Sequence, residues 1–152
     1  MSCLIISIIV LILDQLSKYI IEINLYKKSI DIIENVFSIT YVENYGAAWG
    51  ILSNNNWIIL ILTPLLIGLI VWYLYKISKN KLEYIAGGLV IGGAIGNYLD
   101  RIVRGYVVDF LDFKILGYNY PIFNIADTFI VVGVFLLLIL TFRKEQNRDS
   151  RN

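Results

Sequence analysis

The 152-residue sequence contains no histidine and a single cysteine, Cys3. These absences exclude a Ser-His-Asp triad, a Cys-His pair, histidine-ligated zinc or haem, cysteine-based metal sites and any intramolecular disulfide. Cys3 reads as an apolar filler. Charge is also scarce: Asp, Glu, Lys and Arg make up 16% of the chain, against about 25% in a soluble domain. A net charge of +1 offers no footing for nucleic acid. What is abundant is apolar, with 58% hydrophobic residues and a mean hydropathy of +0.70. One soluble core cannot hide that much apolar surface, so the chain reads as an integral membrane protein. Any acid–base chemistry falls on Asp, Glu, Lys or Tyr.

Four α-helical spans are expected, at about 2–23, 57–75, 84–101 and 125–142, within a single membrane domain covering 1–152. The stretch from Trp57 to Tyr75 is uncharged, and at 1.5 Å per residue it reaches roughly 28 Å, the thickness of a hydrocarbon core. Pro64 inside it is tolerable in lipid, and Trp57, Trp72, Tyr73 and Tyr75 suit the interfacial belt. The 84–101 span is rich in glycine, and Gly88, Gly92 and Gly96 repeat every four residues along one face that another helix can approach closely. The N-terminal run reads as a full span rather than a cleaved signal, having no basic flank and no small-residue cleavage site. Within it Asp14 and Lys18 are four apart and can pair.

The loop 76–83 and tail 143–152 carry seven basic residues in 18 positions: Lys76, Lys79, Lys81, Arg143, Lys144, Arg148 and Arg151. The positive-inside rule puts both, and hence both termini, in the cytoplasm. Segments 25–56 and 102–124 then face outward. Residues 37–42 alternate apolar and polar like a strand. With 107–113 and the turn-like 116–119 they predict a small sheet on the outer membrane face.

Polar residues at membrane depth need a partner or a task. Asn97, Asp100, Arg101 and Arg104 gather at the outer end of the third span, Asn124 and Asp127 at the outer end of the fourth, and Asn44 and Asp109 in the outer segments. Two carboxylates meeting at one level, Asp109 and Asp127, cannot both ionise easily, and an ionised/protonated pair suits hydrolysis. The plainer readings remain: Asp127 as a helix cap, Asp109 as a loop charge, and Asp112 as an equal candidate three residues on. Asp14 with Lys18 reads as a structural pair. Asn97, Asp100 and Arg101 divide between bundle glue and site support. A transporter would spread carboxylates through the bilayer depth, and a scaffold would need none.

Five pieces in order are similar to the lipoprotein signal peptidase (signal peptidase II) family of bacterial membrane aspartic peptidases. They are Asp14-Gln15-x-x-Lys18, Asn44-x-Gly46-Ala47-Ala48-Trp49-Gly50, Gly92-Gly93-Ala94-x-Gly96-Asn97-x-x-Asp100-Arg101, Gly105-x-Val107-Val108-Asp109-Phe110 and Phe123-Asn124-x-Ala126-Asp127. The resemblance implies four transmembrane helices with a small extracytoplasmic β-cradle. It implies Asp109 and Asp127 as the catalytic pair; Asn44, Asn97, Arg101 and Asn124 as substrate-binding or supporting residues; and Asp14 as a buried polar residue. The implied reaction removes the signal peptide of a diacylglyceryl prolipoprotein, cutting before the lipidated cysteine, with no metal or cofactor. The site faces outward from the bacterial inner membrane, in contact with membrane lipid, in a monomer inhibited by globomycin-type peptides. Glu43 stands where many members carry arginine.

Overall fold

The computed structural model describes residues 1–46, 56–78 and 80–149, with side chains except those of 56, 145 and 147–149. Ala47 to Gly50 of the second motif, Lys79 and Arg151 lie outside the described residues. The elements run α1 (Ser2–Leu25), β1 (Ser29–Ile33), β2 (Phe37–Asn44), α2 (Asn56–Lys76), α3 (Lys81–Val103), β3 (Val107–Ile115), β4 (Tyr118–Asn119) and α4 (Ile125–Asp149).

Helices α1, α2 and α4 are long and apolar enough to cross a membrane. Helix α3 is not among them, because glycines, Glu83, Asn97 and Asp100 stand where the others carry long aliphatic side chains. Its position explains the difference. It packs against α1, α2 and α4, and its buried face is made largely of Ala86, Gly87, Gly88, Val90, Gly92, Gly93 and Gly96. A helix enclosed by other helices needs small residues for close approach rather than a surface fit for lipid. The outer helices do the reverse: Leu65, Leu69 and Trp72 on α2 and Val131, Phe135 and Leu138 on α4 are exposed.

The glycine row expected from the sequence faces α1 along its whole length. A Cβ at Gly88 or Gly92 would lie 2.7 Å from Cys3 O or 2.6 Å from Ser7 O on α1, and one at Gly96 would collide with the Asp14 carboxylate. Gly93, beside that row, faces α4 instead, where an added Cβ would lie 2.6 Å from Ala126 O. The same proximity lets Ser7 Oγ donate to Gly88 O at 3.1 Å.

The sheet is antiparallel, in the order β1-β2-β3-β4. Strand β1, not anticipated from the sequence, is exposed along its whole length and pairs Ser29 with Thr40 and Asp31 with Ser38. Leu116 and Gly117 both have positive φ (51° and 82°) and close β3 onto β4 as a two-residue turn of the I′ kind. Ile21 of α1, Tyr41 of β2, and Val108 and Phe110 of β3 form one core cluster. The sheet is thereby fixed to the bundle at the end where α1 and α3 finish and α4 begins.

Gly92→Val forces a side chain into the α1 backbone, and overpacking of this kind costs about 1–3 kcal/mol. The unfolding temperature in detergent falls accordingly. Gly68→Ala, where a Cβ meets nothing within 4 Å, does not lower it.

Candidate active site

Strand β3 and the start of α4 are bound together before any side chain is considered. The amides of Phe110 and Leu111 donate to Phe123 O at 3.0 and 2.8 Å, and Phe123 N donates back to Leu111 O at 3.2 Å. Asp109 therefore lies beside the first turn of α4, which carries Asp127. Residues 107–110 are all buried, Asp109 to 2% exposure.

Asn124 caps α4, and its side chain joins the two carboxylates. Its Oδ1 accepts from Asp127 N at 3.0 Å, while Asp127 Oδ2 accepts from Asn124 N at 3.2 Å. This is a reciprocal capping box with aspartate at the third helical position. The free Nδ2 of Asn124 donates to Asp109 Oδ1 at 2.6 Å and to Asn97 Oδ1 at 3.1 Å. Asn97 Nδ2 donates to Asp127 Oδ1 at 2.8 Å. Asn44, ending β2, donates to Asp109 Oδ2 at 2.7 Å. Each carboxylate thus has an asparagine from another element aimed at it, and the cap reading of Asp127 is part of the site rather than an alternative to it.

Arg101 on α3 donates to Gly46 O at 2.7 Å and to Asn97 O at 3.0 Å, holding the chain just beyond Asn44 against the helix. All six residues except the wholly buried Asn124 line one cavity of about 630 Å³, whose remaining walls include Val107, Phe113, Ile122, Phe123, Ile130 and Val131. Asp112 does not reach it. Three residues from Asp109, it points to the other face of β3, accepts from Thr40 Oγ1 at 3.0 Å, and lines a separate polar groove with Asp31 and Glu34. Glu43 accepts from the Tyr45 hydroxyl at 2.8 Å. Asp14, Lys18 and Asp100 lie behind the site, all fully buried, with Lys18 Nζ 2.8 Å from each carboxylate. Two supports of Asp100 were not foreseen: Gln15 Nε2 donates to it at 3.1 Å, and Arg104, its neighbour one turn on, bridges it to Glu22. The four-residue interval from Asp100 to Arg104 pointed to their pairing, and the place of Gln15 between Asp14 and Lys18 hinted at the rest.

Burial, and next the neighbouring Asp127 charge, push the Asp109 carboxyl up to about 7, against the opposing pull of Asn44, Asn124 and Lys18. Two carboxylates in one apolar-walled cavity can hold a single proton between them and act on water as base and acid together. Among the described residues no group of three or more acidic or thiol side chains could hold a metal ion.

Apolar helices around a pair of aspartates on such a cavity are the arrangement that a membrane aspartic peptidase requires. Residues 6–143 match the family described as signal peptidase (SPase) II, Peptidase_A8, and the chain belongs to that family. Two solved structures, each described as a bacterial membrane enzyme determined by the in meso method, are similar throughout. One is 38% identical, covering 96% of this chain and 90% of that one, with a TM-score of 0.89. The other is 39% identical, covering 92% of both chains, with a TM-score of 0.83.

Because the folded Asp109 keeps its proton up to about 7 while an unfolded aspartate loses it near 3.8, the folded state binds more protons between those values. The contribution of Asp109 to stability is therefore fully present below the lower value and is lost as pH rises towards the upper one. Asp109→Asn flattens that decline in unfolding scans against pH. Asn124→Ala, which removes the cap, costs about 1–2 kcal/mol, and Asn124→Ser recovers part of it.

Proposed function

We propose that Asp109 and Asp127 are the catalytic pair with which this signal peptidase II cleaves a diacylglyceryl prolipoprotein before its lipidated cysteine. The observation that carries the reading is the Asn97–Asn124 bridge, which aims amide donors at both carboxylates across one cavity. In this mechanism a water lies between the aspartates. The ionised carboxylate takes its proton as the oxygen attacks the scissile carbonyl, and the protonated one donates to the developing oxyanion. The tetrahedral intermediate then collapses, the C–N bond breaks, and the leaving amine takes up a proton from the dyad. Asn44 and Asn124 hold Asp109, Asn97 holds Asp127, and Arg101 secures the substrate-side backbone at Gly46. The exposed apolar side chains of α4 around Val131 supply the route by which acyl chains reach the cavity from the bilayer.

In this reading all four helices cross the bacterial inner membrane. The α2–α3 loop and both termini are cytoplasmic, and the sheet and site face outward. Position supports a crossing by α3: its C-terminal end meets the sheet with the start of α4, while its N-terminal end carries the basic loop.

Asp109→Asn and Asp127→Asn each lower the turnover of a diacylglyceryl prolipoprotein in detergent by about 10²–10⁴-fold, the usual contribution of acid–base catalysis. Asp112→Asn retains most of it, and globomycin abolishes cleavage by the unaltered enzyme. Normal turnover in either site variant refutes the pair. Since the shared proton is lost from the free enzyme as pH passes about 7, kcat/KM falls on the alkaline side of that value.

A further inference from the structure

The ammonium of Lys18 touches neither aspartate of the pair, yet it is fully buried with three oxygens around it, two of them hydrogen-bonded to it and the third, on Asp100, in ion-pair contact. They are Asp14 Oδ2, Asp100 Oδ2 and Asn97 Oδ1, all at 2.8 Å. An ammonium can only donate, whereas a side-chain amide presents an acceptor on one side and a donor on the other. With its oxygen held by Lys18 and by Asn124 Nδ2 at 3.1 Å, the Asn97 amide must turn its nitrogen to Asp127 Oδ1. A flipped amide would set N–H against the ammonium and its oxygen against a carboxylate. A second link runs through Asp14, whose Oδ2 binds Lys18 and whose Oδ1 accepts from Ala126 N at 3.1 Å. The same ion pair therefore also fixes the backbone one residue before Asp127.

We propose that Lys18 is a positioning residue for the hydrolytic reaction: by fixing which way the Asn97 amide faces, it keeps a donor on Asp127 and holds that carboxylate in register with Asp109. The inference rests on the assignment of the pair made above. It differs from a purely structural role, in which the buried charges merely join α1 to α3. A structural pair would affect how much enzyme is folded, whereas a positioning residue affects turnover by folded enzyme.

The test measures kcat and KM for diacylglyceryl prolipoprotein cleavage in detergent, on protein verified as folded by its unfolding transition. The variants are Lys18→Met, Asn97→Ala and the double variant, with Asp127→Asn as reference. Lys18→Met leaves Asp14 and Asp100 facing each other, so the charge-balanced Lys18→Met/Asp100→Asn serves where the single variant does not fold. The expected result is a kcat lowered at least 30-fold with KM within about threefold, for Lys18→Met or its charge-balanced form. The double variant with Asn97→Ala should be no slower than the slower single variant, because the two act through one contact. Losing the Lys18 charge also moves the Asp109 titration of the free enzyme upward, so the alkaline limb of kcat/KM shifts to higher pH. Lys18 is here one of several charged groups about Asp109, with Asp127 on α4 and Arg101 on α3.

Near-normal kcat in a folded Lys18 variant overturns the proposal while leaving the catalytic pair intact, provided Asp127→Asn is inactive. Losses of kcat that multiply in the double variant overturn it too, since Lys18 and Asn97 would then act separately. An active Asp127→Asn removes the pair and the proposal with it.

Discussion

The structure depends on a buried ammonium at the centre of the outer half of the bundle. Lys18 comes from α1, and its partners come from α1 and α3. Asp14, its neighbour one turn earlier, holds the N-terminal turn of α4 as well. Three helices are tied at one point. An ion so enclosed is costly to desolvate and is tolerated when countercharge and hydrogen-bond acceptors surround it. The chain meets this condition with two carboxylates and an amide. It then balances the second carboxylate with Arg104 and Glu22 nearer the surface. This is weak evidence for stability but strong evidence for register, because no slid or rotated arrangement of α1 on α3 would satisfy the same donors.

Such an ion can be enclosed only if the helices come close, and α3 provides for that with glycine. The residues that admit α1, Gly88, Gly92 and Gly96, end against Asp14 itself, so the packing row and the polar cluster are successive parts of one face. The site is assembled from the same pieces. Asn97 follows Gly96 by one residue and carries the donor from the ion cluster outward to Asp127, and Asn124 carries it on to Asp109.

Much of this was legible in the sequence and some was not, for identifiable reasons. Helix α2 follows from an uncharged run, and α1 and α4 from apolar runs interrupted only by Asp14, Lys18, Glu22 and Asp127; helix α3 follows from its glycine-rich stretch, since its hydropathy is diluted by the residues that let it sit in the middle. Asp14–Lys18 pairing follows from a four-residue interval. The choice between Asp109 and Asp112 did not follow from pattern. Residues 107–110 are buried on both faces, so the alternation that tells one face of a strand from the other is lost where it is needed. The family resemblance singled out Asp109, and the register of β3 shows Asp112 facing away. Strand β1 was missed because its isoleucines face no core, so nothing in its pattern distinguishes it from a loop.

The missing histidine now has a physical counterpart. An imidazole titrates near neutrality unaided, whereas a carboxyl must be moved there by its surroundings. Burial beneath Val107, Val108 and Phe110 and the charge of a second aspartate push Asp109 up to about 7. Left unopposed, that pressure would keep the pair from carrying its one negative charge. The asparagines resist it: neutral donors from β2, α3 and the α4 cap stabilise the ionised form without adding a positive charge that would hold it permanently ionised. Three amides by their hydrogen bonds and one distant ammonium by its charge therefore hold a buried carboxyl near neutrality, where a histidine stands by its intrinsic chemistry.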